Sequence, residues 1–229
     1  MSNERRAVVT GTSSGIGKAI AQQLLADGWQ VSGLDIAAPG IEHSAFEPVQ
    51  IDLCDGAAAE AAATRLSGAK ALVHAAGVLR YEPLGSQRAA DSELMWRLHV
   101  DSISRIANIL VPAMAANGDG RVVLIGSRAA QGIARRSQYG ATKAALVAMA
   151  RSWAGEVVAS GVTVNVVSPA ATQTPGLVDP SRKSEPPKIP PIGRLIRPEE
   201  VAALTSFLLS PVAAAITGQE ILICGGSSL

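Results

Sequence analysis

Short apolar runs alternate with longer amphipathic stretches along nearly the whole chain. The short runs are rich in β-branched residues and have the length of strands, whereas apolar positions in the longer stretches recur at helical spacing. This alternation predicts an α/β fold: a doubly wound, seven-stranded parallel sheet with right-handed crossovers and helices on both faces. The predicted strands are 7–10, 30–34, 48–52, 71–74, 121–125, 162–167 and 218–226, and the predicted helices are 18–26, 56–66, 92–99, 102–116, a long helix through 139 to about 160, and 198–209.

The periodicity is lost in one segment, at about 171–196, which contains six prolines. An insertion of that length without regular structure is more often a functional lid than a linker. The rest of the chain contains no internal repeat and no interdomain linker. We therefore expect a single domain over 1–229, with a substrate lid at about 171–196.

Composition narrows the classes of partner. Of the 229 residues 48% are hydrophobic but only 3% aromatic, which predicts one domain with a core of small aliphatic side chains. A net charge of +1 argues against nucleic acid or a membrane surface as a partner. Cys54 and Cys224 fit neither a metal-ligand spacing nor a disulfide framework, and no stretch resembles a signal peptide or a membrane span. These features predict a soluble cytoplasmic protein without a metal site.

A glycine-rich turn, Gly11-Thr-Ser-Ser-Gly15-Ile-Gly17, joins the first predicted strand to the first predicted helix. Such a turn lets a diphosphate approach the backbone N–H groups and the positive end of the helix dipole. The spacing differs from Gly-x-Gly-x-x-Gly, and an ordinary tight turn is the alternative interpretation. The strand–turn–helix context favours nucleotide binding.

Two acidic residues follow the second and third predicted strands. Asp35 stands about twenty positions beyond the glycine turn, where a carboxylate can hydrogen-bond ribose hydroxyls and repel a 2′-phosphate. No arginine or lysine lies between 35 and 40. Asp52 is placed to meet an adenine amino group. We therefore predict NAD rather than NADP as the cofactor, with a solvated turn aspartate as the alternative interpretation of Asp35.

Tyr139 and Lys143 are four residues apart in a predicted helix, so they share one face. A free tyrosine titrates near pH ~10, and bringing it to ~7 requires roughly 4 kcal/mol. An ammonium about 4 Å away supplies on the order of that energy at an effective dielectric of ~20. The pair is a candidate acid–base site, although such pairs also occur by chance on solvated helices.

Taken in order, several motifs resemble the short-chain dehydrogenase/reductase family over essentially the whole length. The resemblance implies a Rossmann-type fold and a hydride transfer between NAD and a secondary alcohol or ketone. Within that family, the runs Ala75–Arg80 and Val166–Pro169 resemble those of bacterial dehydrogenases of cyclic or sugar-like hydroxy acids. The motifs are Thr10–Gly17, Asp52-Leu53, His74-Ala-Ala-Gly77, Ser127, Tyr139-x-x-x-Lys143, Ser168-Pro-Ala170, Arg197-Pro-Glu-Glu200, Gly218-Gln219 and Gly225-Gly226.

The resemblance also implies roles for individual residues and a homotetramer or dimer. Tyr139 exchanges the proton on the substrate oxygen, Lys143 lowers its pKa and holds the nicotinamide ribose, and Ser127 hydrogen-bonds the same substrate oxygen. Ile16 packs beneath the nicotinamide ring. The implied cofactor contacts are Gly11, Ser14, Gly15, Ile16, Gly17, Asp35, Asp52, Leu53, Ala76, Gly77, Tyr139, Lys143, Pro169, Thr172 and Thr174.

Three positions depart from the family pattern. His99 stands where the family has a catalytic asparagine; its imidazole can hold a water or relay the proton, or merely fill space at a helix break. Ser127 is one residue closer to Tyr139 than usual, which predicts a shortened loop that must adjust for Ser127 to reach the substrate oxygen. Cys224 replaces an aspartate and affects subunit packing.

Arginines cluster around the predicted site at positions 80, 128, 135 and 136. A guanidinium suits a carboxylate, so an anionic hydroxy or keto acid is a hypothesis for the substrate, with a solvated basic loop as the alternative. The main expectation is an NAD-dependent alcohol/ketone oxidoreductase. Its rival is a catalytically silent NAD-binding or regulatory protein, indicated by His99 and the shortened serine loop.

Overall fold

Seven parallel strands form one sheet in the computed structural model, which describes residues 5–178 and 187–229. The strand order is β3-β2-β1-β4-β5-β6-β7. The predicted fold class is therefore confirmed. The strands are β1 (Arg6–Thr10), β2 (Gln30–Asp35), β3 (Phe46–Gln50), β4 (Ala71–His74), β5 (Gly120–Ile125), β6 (Val162–Pro169) and β7 (Glu220–Ile223).

Helices cover both faces of this sheet. On one face α1 (Gly15–Ala26) packs against α7 (Pro198–Leu209), and on the other face α2 (Gly56–Arg65), α4 (Ser102–Ala116) and α5 (Ser137–Val157) form a layer. Two shorter helices, α3 (Ala89–Trp96) and α6 (Pro175–Val178), follow strands β4 and β6, respectively, in the chain. None of the helices in the described ranges is both long and apolar enough to span a membrane.

The core is built from aliphatic side chains, as the composition predicts. Every residue of β6 is buried, because this strand lies inside the sheet with helices on both sides. Strand β3 is mostly exposed, because it forms the edge. Ile20 and Leu24 on one face and Leu146 on the other are fully buried, and each contributes about 1.5–3 kcal/mol by leaving water.

Several element boundaries differ from the sequence prediction. Residues Arg97–Asp101 form one turn of π-helix that joins α3 to α4, instead of the predicted helix break. Strand β3 ends at Gln50, so Asp52 lies beyond it in a turn. The segment predicted to be a lid contains helix α6 and a bridge from Thr172 to Ile196, and residues 179–186 of that segment lie outside the described residues.

The order in which strands are added to the sheet reverses between β1 and β4, which are neighbours in the middle of the sheet. From β1 it runs outward through β2 to β3, and from β4 it runs outward to β7. Thr10, the last residue of β1, pairs with His74, the last residue of β4. The space beyond the carboxyl ends of β1 and β4, here called the crevice, is the usual ligand position in an open α/β sheet.

Candidate active site

The glycine-rich turn closes so tightly that side chains are excluded from it. Gly11 has a left-handed φ of +77°, and its N–H donates to the carbonyl of Leu34 at 2.8 Å. A Cβ on Gly11 would lie 2.8 Å from the backbone nitrogen of Ala76, and a Cβ on Gly17 would lie 2.1 Å from the carbonyl oxygen of Gly11. Only glycine fits at these two positions, and the turn therefore brings bare backbone to the crevice.

Helix α1 starts directly in this turn. Its N-cap residue, Ser14, is extended, and within the described residues its side chain makes no capping hydrogen bond. The first N–H groups of α1, at Ile16 and Gly17, are therefore not satisfied by that cap, and the positive end of the helix dipole faces the crevice. Thr174 approaches from α6, since a Cβ on Gly15 would lie 3.2 Å from its Cγ2. This cradle fits the diphosphate of a dinucleotide.

Asp35 ends β2 beside this cradle with its carboxylate held in one orientation. Its Oδ2 accepts a hydrogen bond from the Ser13 N–H at 2.9 Å, and its Oδ1 accepts one from the Ala37 N–H at 2.9 Å. A basic residue that the sequence prediction did not consider also comes near. The ammonium of Lys18 would lie 3.2 Å from a Cβ on Gly40, because α1 packs against the loop that follows β2.

The loop after β4 is fixed by Thr10. The Thr10 hydroxyl accepts hydrogen bonds from the N–H groups of Ala75 and Ala76, each at 3.0 Å, and lies 3.0 Å from Nδ1 of His74. Burial, followed by the charge of Lys143, lowers the pKa of His74 to about 3. His74 is therefore neutral and belongs to the core, and Gly77 is left exposed at the crevice.

Other predicted cofactor contacts lie at the same end of the sheet, at or beyond the carboxyl ends of β3 and β6. Pro169 is the last residue of β6, and the Thr172 hydroxyl donates to the carbonyl of Ala170 at 3.0 Å. Asp52 is exposed and accepts a hydrogen bond from the Cys54 N–H at 2.8 Å, while Leu53 is buried beneath it.

Helix α5 carries Tyr139 and Lys143 to the end of β5. The ammonium of Lys143 lies 5.9 Å from the centre of the Tyr139 ring and donates to the carbonyl of Ile125, the last residue of β5, at 2.9 Å. Burial lowers the pKa of Lys143 to about 8. The ammonium is thus mostly charged at neutral pH, and it is anchored to the sheet.

The surroundings of Tyr139 act on the pKa of its phenol in opposite directions. Burial raises the pKa of its phenol, while a hydrogen bond with Ser127 and the charge of Arg136 lower it. The ammonium of Lys143 lies 5.9 Å from the centre of the Tyr139 ring, so the positive charge predicted beside the phenol is present. In the protein alone, Tyr139 is a neutral phenol, and the lowering of its pKa by Lys143 stays a prediction.

The loop between Ser127 and Tyr139 does adjust to its shortened length. Ser127 is the N-cap of one turn of 3-10 helix, Arg128–Gln131, and its hydroxyl accepts a hydrogen bond from the Ala129 N–H at 3.1 Å. This tight turn brings the Ser127 side chain to the Tyr139 phenol. The two hydroxyl groups therefore converge on one position, where a substrate oxygen can bind.

His99 lies in the π-helical turn and is completely buried. Its Nε2 is 3.0 Å from the backbone nitrogen of Val78, and its Nδ1 is 2.8 Å from the hydroxyl of Thr142. Thr142 is a residue of this site that no sequence motif indicated. Its position directly before Lys143 could have indicated it, because both residues are buried on α5.

A small open pocket, lined by Arg136 and Gln138 among others, lies next to the start of α5 and is rich in charged side chains. Arg88 and Arg80 pair with Asp91 at 2.5 and 3.7 Å. Arg136 stacks on the ring of Tyr81, with its guanidinium carbon 5.4 Å from the ring centre. The lining residues are Arg80, Tyr81, Glu82, Gln87, Arg88, Asp91, Ser92, Met95, Arg135, Arg136 and Gln138; Arg128 is not among them.

Comparison with known proteins identifies this arrangement. Residues 11–228 match the family described as Enoyl-(Acyl carrier protein) reductase. The chain is 32% identical over 238 residues to the 3-oxoacyl-(acyl-carrier-protein) reductase FabG of Vibrio cholerae, covering 96% of each protein. The chain belongs to the short-chain dehydrogenase/reductase family. As a short-chain dehydrogenase/reductase, it is an NAD(P)-dependent oxidoreductase that acts on hydroxyl or keto groups.

Other members of the short-chain dehydrogenase/reductase family match along the whole chain. The oxidoreductase UcpA of Escherichia coli K12 is 31% identical, covering 98% of this chain and 95% of that protein. The ligand-free structure of Thermoplasma acidophilum aldohexose dehydrogenase has a TM-score of 0.89 at 27% identity, covering 98% of this chain and 94% of that one. The predicted family is therefore confirmed, although these relatives differ in the substrates that their names give.

Proposed function

We propose that this protein transfers a hydride between NAD(H) and a secondary alcohol or ketone, with Tyr139, Ser127 and Lys143 as its catalytic residues. The observation that carries this proposal is the convergence of the Tyr139 phenol and the Ser127 hydroxyl at the end of β5. The glycine turn, Asp35 and Gly77 line the same crevice from β1, β2 and β4. We propose a single domain over 1–229 with a substrate lid in its 171–196 segment, in which Thr174 lies against Gly15 of the glycine turn.

Each catalytic side chain has a task that follows from its surroundings. When bound, a nicotinamide supplies or accepts the hydride. Tyr139, a neutral phenol, donates its proton to a ketone oxygen or receives one from an alcohol. Ser127 donates a hydrogen bond to the same oxygen and fixes its position. Lys143 keeps a positive charge beneath the ring of Tyr139 and ties α5 to the sheet.

Asp35 supports NAD as the cofactor. Two backbone N–H groups hold its carboxylate in place, so it cannot swing away from a 2′-phosphate without losing both hydrogen bonds. The positive charge of Lys18 lies near Gly40 in the loop after β2, and it opposes the effect of the negative Asp35 carboxylate. We expect kcat/KM to favour NADH over NADPH by about tenfold or more, equivalent to ~1.4 kcal/mol.

Absorbance at the NADH band, followed with a panel of secondary alcohols and keto acids, tests both the activity and the cofactor. Asp35→Ser is expected to bring the two cofactors within a few fold of each other. Tight binding of NADH without turnover of any substrate would favour the catalytically silent alternative. An equal preference for NADPH in the wild type would remove the role assigned to Asp35.

Arg136 supports an anionic substrate, namely a hydroxy or keto acid. Its charge reaches Tyr139, because it lowers the pKa of that phenol. Among the described residues Arg136 has no carboxylate partner, whereas its pocket neighbour Arg88 is paired with Asp91. A carboxylate a few bonds from the reacting carbon can therefore pair with Arg136 while the carbonyl oxygen lies at Tyr139.

Arg136→Gln is expected to lower kcat/KM for keto acids by about 10- to 100-fold, since a hydrogen bond to a charged group contributes ~1.5–3 kcal/mol. Turnover of the matching neutral esters is expected to change by less than about threefold, because an ester has no charge to pair with Arg136 and an exposed charge contributes little otherwise. The comparison requires initial rates for one acid and its ester with each variant. Arg88→Gln is the matched control in the same pocket, and an equal loss there would contradict a specific role for Arg136.

A homotetramer or dimer is the proposed assembly. Large apolar side chains lie exposed on the surface of the described residues, among them Trp96, Phe207 and Val212. Helix α5 carries the small side chains of Ala141, which is exposed, and Ala144, which is half-buried, beside the 3-10 turn, and these allow the helix of a second copy to approach closely. Light scattering of the purified protein measures the assembly.

A further inference from the structure

His99 links three elements of the active site by hydrogen bonds. It lies in the π-helical turn, contacts Val78 in the loop after β4 through Nε2 at 3.0 Å, and contacts Thr142 of α5 through Nδ1 at 2.8 Å. The Thr142 hydroxyl in turn donates to the carbonyl of Tyr139 at 2.8 Å. The loop that borders the crevice and the turn that carries Tyr139 are thus joined through one imidazole.

The hydrogen atoms in this network can be assigned from the geometry. The Thr142 hydroxyl lies against a carbonyl oxygen, which has no hydrogen to give, so the hydroxyl proton must point to Tyr139. Thr142 therefore accepts at its other contact, and Nδ1 of His99 must carry a proton. Because Val78 offers a backbone N–H, Nε2 of His99 must accept. One tautomer, neutral and protonated on Nδ1, satisfies all three contacts.

The surroundings disfavour a second proton on this ring. Burial, followed by the charge of Lys143, holds the pKa of His99 well below its ordinary value. A proton on Nε2 would also face the Val78 N–H, donor against donor. The titratable groups around the ring are Lys143, His74 and Tyr139, and none of them supplies a negative charge at neutral pH. The Tyr139 ring meets the His99 ring edge-on, with the ring centres 5.7 Å apart.

The network also adjoins the crevice. A Cβ on Gly77 would lie 3.1 Å from Nε2 of His99 and 3.7 Å from the ammonium of Lys143. A shift of His99 would therefore move the floor of the crevice at Gly77 as well as the first turns of α5. Displacements of about 1 Å at such positions can cost roughly 10²-fold in rate.

We infer that His99 and Thr142 are positioning residues, which hold Tyr139 at a fixed distance from the Gly77–Val78 edge, and that His99 does not carry the transferred proton. This inference rests on the proposed function, because its effect is measured on hydride transfer. The imidazole holds the backbone in place at two positions: the loop after β4 directly, and helix α5 through Thr142. Both ring nitrogens are used, so neither is available to a proton relay.

Thr142→Val removes the hydroxyl and retains the shape of the side chain. We expect kcat to fall by about 10- to 100-fold while KM for NADH changes by less than about threefold, because the reacting groups are displaced rather than removed. Thr142→Ser restores the hydroxyl and is expected to recover most of kcat. Thr163→Val is the matched control, since the Thr163 hydroxyl is also buried and has no hydrogen-bond partner in the described part of the chain.

Wild-type kcat in Thr142→Val, or a loss as large in Thr163→Val, would overturn the inference. So would a loss in Thr142→Val that Thr142→Ser does not recover. In each case the wild type must turn over substrate; a wild type without any turnover would instead refute the proposed function.

A second measurement does not depend on activity. Imidazole ¹⁵N shifts of the full chain are expected to show His99 as a neutral ring protonated on Nδ1 from pH 5 to 9, both free and with NADH. Only three histidines are present, and His43→Gln and His74→Gln assign the signals. A His99 signal that titrates in this range, or that shows protonation on Nε2, would overturn the inference.

Discussion

Tyr139→Phe is expected to lower kcat by about 10³-fold, because positioned acid–base groups contribute ~10²–10⁴-fold and no other side chain near Ser127 can replace the phenol. The affinity for NADH is expected to stay within about tenfold, since the loss of one hydroxyl hydrogen bond costs ~0.5–1.5 kcal/mol. The variant keeps the ring, so its edge-on contact with His99 and its place above Lys143 are retained. Stopped-flow reduction of a keto acid and fluorescence titration with NADH measure the two quantities.

Tyr81→Phe provides the matched comparison, because it removes the other tyrosine hydroxyl of the chain and retains the ring under Arg136. Its effect on kcat is expected to be at least about 100 times smaller, since Tyr81 has no place in proton transfer. Unchanged turnover in Tyr139→Phe would remove the proposed mechanism. Loss of NADH binding in the same variant would show that Tyr139 acts through the cofactor site instead.

The parts of this site that could be predicted from the sequence are those set by local geometry. Tyr139 and Lys143 meet because helical spacing alone brings residues four apart onto one face. The glycine turn was predicted because a strand, a turn and a helix are consecutive in the chain, and the resemblance added Ser127. Alternation of strands and helices was sufficient to predict the parallel sheet.

The parts that could not be predicted depend on contacts between distant segments. The hydrogen bond from the Lys143 ammonium to the Ile125 carbonyl joins residues 18 positions apart, so helical spacing alone could not predict it. His99 contacts Val78 and Thr142, which are 21 and 43 positions away, so its role could not be derived from its neighbours in sequence. The approach of Lys18 to Gly40 likewise depends on how α1 packs.

The π-helical turn shows the same limit within a single helix. Residues 92–99 and 102–116 were predicted as separate helices, whereas the chain continues through Arg97–Asp101 with a wider turn. Such turns are rare and frequently occur at functional sites. Here the turn carries His99, which faces both the loop after β4 and helix α5. The π-helical turn therefore contains His99, the residue that departs from the family pattern.

Gly17→Ala is expected to weaken NADH binding by about 100-fold, equivalent to ~2.7 kcal/mol. The added Cβ would lie 2.1 Å from the carbonyl oxygen and 2.6 Å from the carbonyl carbon of Gly11, and both are backbone atoms that no rotamer change can move. Helix α1 must therefore shift away from the turn, and its N–H groups leave the position proposed for the diphosphate. Fluorescence titration with NADH measures the affinity.

Overpacking of this kind also costs ~1–3 kcal/mol of folding free energy, so the midpoint of thermal unfolding is expected to fall by several degrees. Gly155→Ala is the matched control, because Gly155 lies exposed within α5 and a Cβ there meets no atom of the described residues within 4 Å. That variant is expected to be more stable by ~0.5–1 kcal/mol, since alanine favours a helix over glycine, and to bind NADH as the wild type does. If Gly17→Ala bound NADH equally well, the diphosphate could not lie against the start of α1, and the crevice between β1 and β4 would have to bind the cofactor through other groups.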